Sequence, residues 1–175
     1  MGTLAGVLHS NAQISLSYAE GLLKDVRPAD FARKPRSDGS VVDTNHPAFV
    51  YGHLSVYAPR MALIAGLGEG VVQLPTGFEE LFAAGKECRD DPSGSIYPAM
   101  STITNAFFDG HRRVLAKIAE LDDASLGAPH GRPGDFAAKF PSRAAMLAFL
   151  LGGHIMSHLG QVSAWRRCLG LPSAF

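Results

Sequence analysis

His154 and His158 stand four residues apart in the run Gly153-His154-Ile155-Met156-Ser157-His158-Leu159-Gly160-Gln161. On a helix, that spacing places two imidazoles one turn apart on one face, where both can reach a single metal ion. Gln161 follows His158 by three residues and borders the same face. The alternative is a pair of polar passengers on an amphipathic helix. The flanking residues are apolar, however, and two imidazoles on a core-facing stripe are costly unless something satisfies their nitrogens. A metal does so. Two ligands make a poor site, so a third has to come from elsewhere in the chain.

Three histidines outside this helix sit in structured positions: His46, His53 and His111. His53 is the strongest candidate, because Phe49, Val50, Leu54 and Tyr57 around it turn one side of its helix toward a core. His46 lies seven residues earlier on nearly the same face, which makes it a pocket-rim residue or an exposed residue of the first turn. His111 precedes Arg112-Arg113 and reads as solvated. A zincin protease needs Glu directly after the first histidine, and position 155 is Ile155. A di-iron carboxylate bundle needs Glu-x-x-His, which does not occur in this chain. The remaining chemistry is a mononuclear imidazole site for one divalent transition metal, with Zn or Ni the best suited, and an open position for Lewis-acid work.

The elements that must position these residues are helices. The first runs from about Leu4 to Asp25, with Leu4, Val7, Leu8, Ile14, Tyr18 and Leu22 at helical spacing and Asn11 on the same stripe. Residues 33–43 read as a loop. Asn45 is a good N-cap and Pro47 a good first-turn residue for a second helix reaching about Leu67. Pro59 lies inside it and leaves the carbonyl of Ser55 without its helical partner, so a kink or early end is expected there. Residues 68–94 form a long connection with one short helix near Phe78 to Ala84, and a connection of that length is often functional. A third helix begins near Ser95 to Pro98 and ends near Leu121, residues 122–141 are loop, and Ser142 caps a last helix that ends by Leu169 before Gly170 and Pro172. Gly152-Gly153 inside that helix serves either close helix packing or room for a ligand beside His154.

Composition bounds the rest. The 175 residues suit one domain with a substantial core, and 46% hydrophobic and 18% charged residues suit a compact soluble protein. A formal net charge of zero and the absence of a basic stripe argue against a nucleic-acid partner. Arg112-Arg113 and Arg166-Arg167 read as solvated patches, and Arg166 and Arg167 also suit the C-terminal end of a helix dipole. Two cysteines, Cys88 and Cys168, form no disulfide framework, which points to a reducing, cytoplasmic compartment. No signal peptide is evident, Gly6 breaks the myristoylation pattern, and the apolar run from Ala144 to Gly153 is too short to cross a bilayer, so no membrane partner is expected. Helices without a convincing strand pattern make an all-α, four-helix bundle over residues 1–175.

Taken together, Asn45-His46-Pro47-Ala48-Phe49-Val50-Tyr51-Gly52-His53-Leu54, then His154-x3-His158-x-Gly160-Gln161 and Trp165-Arg166-Arg167-x2-Gly170-x-Pro172, resemble the DinB-like superfamily. The resemblance covers essentially the whole chain and implies an up-down-down-up bundle with a long connection between its second and third helices. It implies a divalent metal held by His53, His154 and His158. Characterised relatives include transferases and isomerases that use low-molecular-weight thiols such as mycothiol, bacillithiol or glutathione, so a thiol cosubstrate is an expectation of the resemblance.

Three functions fit these residues: a metal-dependent enzyme that transfers or adds a small thiol to a small-molecule electrophile, a non-enzymatic metal- or ligand-binding stress-response module, and a dimer whose helices the metal only pins. Three convincing ligands favour an open site and hence the enzyme. His46, Tyr57, Asn105 and Gln161 are the candidates for substrate contact, Tyr57 being otherwise a core aromatic and Asn105 part of a solvated face. No general base is identified. Leu16, Leu23, Phe107 and Phe108 could supply a homodimer surface.

Overall fold

The computed structural model describes residues 1–174 of the chain. Its secondary structure is predominantly helical, with a two-residue antiparallel ladder, Arg36–Ser37 with Ser40–Val41, inside the segment expected to be plain loop. Asp38 and Gly39 turn that ladder with positive φ, the conformation a tight hairpin demands.

Helix α1 (Thr3–Leu22) buries Ala5, Leu8, Ala12, Leu16, Ala19 and Leu22. The stripe differs from one drawn through the bulkiest residues: Val7 and Ile14 are 62% and 67% exposed. Alanines at every second turn let neighbouring helices approach closely, so the small residues mark the core face. Asn11 borders that face and donates to the carbonyl of Ala148 at 3.1 Å.

The second helical segment breaks where proline chemistry requires. Helix α2 (Pro47–Ser55) ends, Val56 intervenes, and helix α3 (Tyr57–Ile64) resumes with Pro59 in its first turn. The N-cap is His46 rather than Asn45: His46 Nδ1 accepts the Phe49 N–H at 3.2 Å and its Nε2–H donates to the Arg89 carbonyl at 2.9 Å. His46 is fully buried, not an exposed first-turn residue.

The long connection is packed. Helix α4 (Phe78–Phe82) drives Phe78 and Phe82 into the core, and buried Asp91 accepts the N–H groups of Ser95, Ile96 and Tyr97 ahead of helix α5 (Met100–Ile118). On α5, Ile103, Phe107, Val114 and Ile118 form the core face, together with His111, which was expected in solvent and has no exposure at all. Its Nδ1–H donates to the Phe107 carbonyl at 2.7 Å, while Nε2 is buried without a partner. Leu16 and Phe107 are likewise core residues and leave Leu23 and Phe108, half-buried, as the outer members of the set expected at a dimer surface.

Residues 122–141, expected to be loop, contain two short helices, α6 (Asp123–Gly127), which Asp122 caps by accepting the Ser125 N–H, and α7 (Asp135–Lys139); Ser142 then caps helix α8 (Arg143–Ala148) by accepting the Ala145 N–H. The chain then widens into a π-helical turn, Phe149–His154, before helix α9 (Ile155–Cys168). Arg166 is buried rather than solvated: its guanidinium donates to the carbonyls of Leu22, Lys24 and Pro172, closing the end of α1 against the exit of α9. By length and composition the stretch Arg143–Cys168 could span a membrane. Here its apolar residues Leu147, Leu151, Ile155, Leu159, Val162 and Trp165 are buried in the core, which accounts for that composition.

Complete burial pushes the His111 imidazole down to about 4. An unfolded histidine titrates near 6.5, so between those values the unfolded chain binds the proton that the fold refuses. The stabilisation from neutral His111 is full above pH of about 6.5 and is lost as the pH falls toward about 4, amounting to roughly 3 kcal/mol. We expect His111→Phe to lower the slope of unfolding free energy against pH in that window by up to about one proton, measured by urea titrations across the range.

Candidate metal centre

Two elements carry the three histidines. His53 comes from the last full turn of α2, His154 ends the π turn, and His158 stands one helical turn later on α9. One ring nitrogen from each lies within 4.8 Å of the others. The ring centroids are 4.6 Å apart for His53 and His158, 4.7 Å for His154 and His158, and 5.8 Å for His53 and His154. The expected triad is therefore brought together in space.

Each ring is held differently. His53 is buried, and its Nδ1–H donates to the Phe82 carbonyl at 2.8 Å. That bond fixes the tautomer and leaves Nε2 as the free donor toward the cluster, the arrangement that orients metal-ligating histidines. Gln161, three residues after His158, opposes the fall in the His158 pKa, and its Oε1 accepts from Asn45 Nδ2 at 3.0 Å. Asn45, displaced from its expected capping role, thus links the start of α2 to α9. His154 Nδ1 is buried with no hydrogen-bond partner among the described residues.

Burial is the first cause that lowers the pKa of all three, and the mutual repulsion of His53, His154 and His158 adds to it for the last two; His154 falls to about 3. Neutral imidazoles are the ligating form. A donor set of three neutral rings, His53 buried and His154 and His158 half-buried, fits a divalent ion of the kind that accepts nitrogen ligands. No carboxylate joins the group among the described residues.

The other expected site residues divide. Tyr57 packs against His53 and His154, with centroids at 5.2 and 4.3 Å, and Gln161 stands beside His158, so both belong to the cluster. Asn105 is exposed and lines a different cavity, of about 680 Å³, with Gln73, Thr102, Asp109 and Arg113. His46 has both nitrogens engaged in capping α2 and tying it to Arg89.

A second cavity, of about 160 Å³, borders His154 and Tyr57 and is walled by Phe149 and Leu150 of the π turn. The extra residue of a π turn redirects side chains beyond it, and such turns recur at functional sites. Of the two readings of Gly152-Gly153, close packing describes Gly152, where a Cβ would collide with the Asn11 amide; Gly153 would meet only the Phe149 ring, at 3.5 Å.

Phe82 and Arg60 were not singled out by sequence, and Gly52 entered only as part of the motif around His53. The available signals were the length of the 68–94 connection and a glycine directly before His53. At Gly52 a Cβ would overlap the Phe82 ring, whose own backbone carbonyl holds His53.

The DinB superfamily model matches residues 13–162. The chain belongs to the DinB superfamily. No curated protein matches it.

The Gly52–Phe82 contact ties packing to ligand orientation. Gly52→Ala should destabilise the fold by about 1–3 kcal/mol through overpacking and weaken metal binding at the same time. Thermal unfolding and a zinc competition titration measure the two effects.

Proposed function

We propose that this chain is a divalent-metal-dependent enzyme that acts on a small molecule, of the low-molecular-weight-thiol S-transferase or isomerase type, with one Zn or Ni ion per chain. The observation that carries the reading is the convergence of three neutral imidazoles beside a cavity that reaches His154. Three protein ligands leave a coordination position for an exogenous group, whereas a structural pin takes four.

His53, His154 and His158 would hold the ion, which when bound lowers the pKa of a thiol and keeps it as the nucleophilic thiolate. The chain's own residues supply orientation. The Phe82 carbonyl fixes the His53 ring, the Asn45–Gln161 pair braces His158, and Tyr57 covers one side of His53 and His154. Buried Phe49, in offset contact with His53 at 6.3 Å, excludes water from another side. Gln161 and Tyr57 are the polar groups placed to contact a substrate. His46, buried with both nitrogens engaged, and Asn105, on a different cavity, take no part in substrate contact in this proposal.

The four long helical segments, with α2 and α3 counted as one and α8 to α9 as another, form the up-down-down-up bundle in this reading. A cytoplasmic homodimer completes it, with Val7, Ile14 and Met156 as exposed apolar residues on α1 and α9. Light scattering at micromolar concentration should give twice the chain mass; the chain mass alone would remove the dimer.

Metal content is the direct test. Mass spectrometry of tag-free protein purified without chelators should find about one divalent ion per chain, and His158→Ala should lose most of it. Added thiol should then give a thiolate-to-metal charge-transfer band in cobalt-substituted protein. Failure to retain metal after reloading with zinc and nickel overturns the metal reading. Metal binding without the band leaves a non-enzymatic metal-binding module.

A further inference from the structure

The cavity beside His154 has walls that restrict what it can hold. Ile64, Met146 and Leu150 are buried apolar residues, and Phe149 adds an aromatic face. Apart from Tyr57 and His154, its other two lining residues are Arg60 and Arg132; no carboxylate lines it.

The two guanidinium groups are placed differently. Arg60 is anchored: it donates to both Glu79 carboxylate oxygens, at 2.9 and 3.2 Å, and its Cζ stands 5.0 Å over the Tyr57 ring. Arg132 has no carboxylate partner among the described residues, and only its backbone N–H is engaged, donating to His130 Nδ1 at 3.2 Å. Its loop is nevertheless docked. His130 Nε2–H donates to the Phe140 carbonyl at 2.7 Å, and the Phe140 ring stacks on Phe149, the cavity wall, at 4.9 Å. An exposed guanidinium at the edge of an apolar concavity, with no carboxylate partner among the described residues, is a partner for a planar anion, which it can grip with two parallel N–H donors.

We propose that this cavity binds a small organic monoanion, an apolar body of about five or six non-hydrogen atoms ending in a carboxylate. Arg132, assisted by Arg60, meets the carboxylate, and the apolar body lies between Ile64, Leu150 and Phe149 against the His154 ring. The role of this anion as the substrate rests on the metal-enzyme reading above; its binding does not. The cavity thus assigns a substrate class, small aliphatic or aromatic acids, that the three histidines alone leave open.

The test is a nuclear magnetic resonance titration of the full chain, zinc-treated, with hexanoate, hexanol and hexylamine as probes of one shape and three charges. Hexanoate should bind about three- to fivefold more tightly than hexanol, the upper range an exposed charge pair allows, and hexylamine should bind more weakly than hexanol. Its shift perturbations should cluster at residues 57–64 and 146–154. In Arg132→Gln the preference over hexanol should fall below about twofold, and in Arg132→Gln with Arg60→Gln it should vanish, while metal content stays that of the parent chain. Equal affinity for hexanoate and hexanol, a preference that survives the double variant, or perturbations elsewhere would overturn the proposal. His158→Ala separates it from the metal reading. A hexanoate preference that persists there upholds the cavity without the ion, and one abolished there together with the metal shows the carboxylate on the ion, against this proposal. Metal retained by the parent chain without any hexanoate preference overturns the anion inference alone.

Discussion

The structure turns on keeping three imidazoles neutral and close together in a half-buried cluster. Charged rings at 4.6 to 5.8 Å would repel one another in a medium that solvates them poorly, and burial already pushes His154 down to about 3. Neutral rings accept that environment only if each N–H has an acceptor or each lone pair a Lewis acid. His53 has its acceptor in the Phe82 carbonyl, whereas His154 Nδ1 has no hydrogen-bond partner among the described residues. An unsatisfied buried nitrogen costs about 1–3 kcal/mol, so this cluster is a poor choice for stability alone and a good one for holding an ion.

Two departures from regular helix serve that cluster. Pro59 ends the hydrogen-bond ladder at Ser55, so α2 stops just after His53 and α3 sets off with Tyr57 over the rings. The π turn at Phe149–His154 delivers His154 and walls the adjoining cavity, while the Asn11 amide, at the edge of the α1 core face, donates to the Ala148 carbonyl where the helical ladder changes. The long 68–94 connection supplies Phe82, both as packing against Gly52 and as the acceptor for His53, which is a positional reason for its length.

Much of the site was legible because helical spacing is a local property. The i, i+4 pair His154 and His158, the placement of His53 on a core-facing helix, the Pro59 break and the Ser142 cap all follow from residues within a turn or two of one another. What was misread depended on distant partners. His111 beside two arginines looks solvated until Phe107 and the rest of the core enclose it. Asn45 is a better N-cap by type than His46, yet the Arg89 carbonyl recruits His46 and leaves Asn45 to Gln161. Arg166 beside Arg167 reads as surface charge, but three carbonyls from the ends of two helices converge on it.

The sequence by itself determined the helical class, the order of the long helices and the His154–His158 pair, since each is written in periodicity, capping and spacing along a single segment, and it pointed to His53 as the third ring. Tertiary structure alone decided that α2 and α9 meet with those rings within 4.8 Å, that Phe82 fixes one of them, and that Arg60 and Arg132 border the same cavity. Convergence of residues separated by about a hundred positions depends on how helices pack and loops close, and no local pattern encodes that.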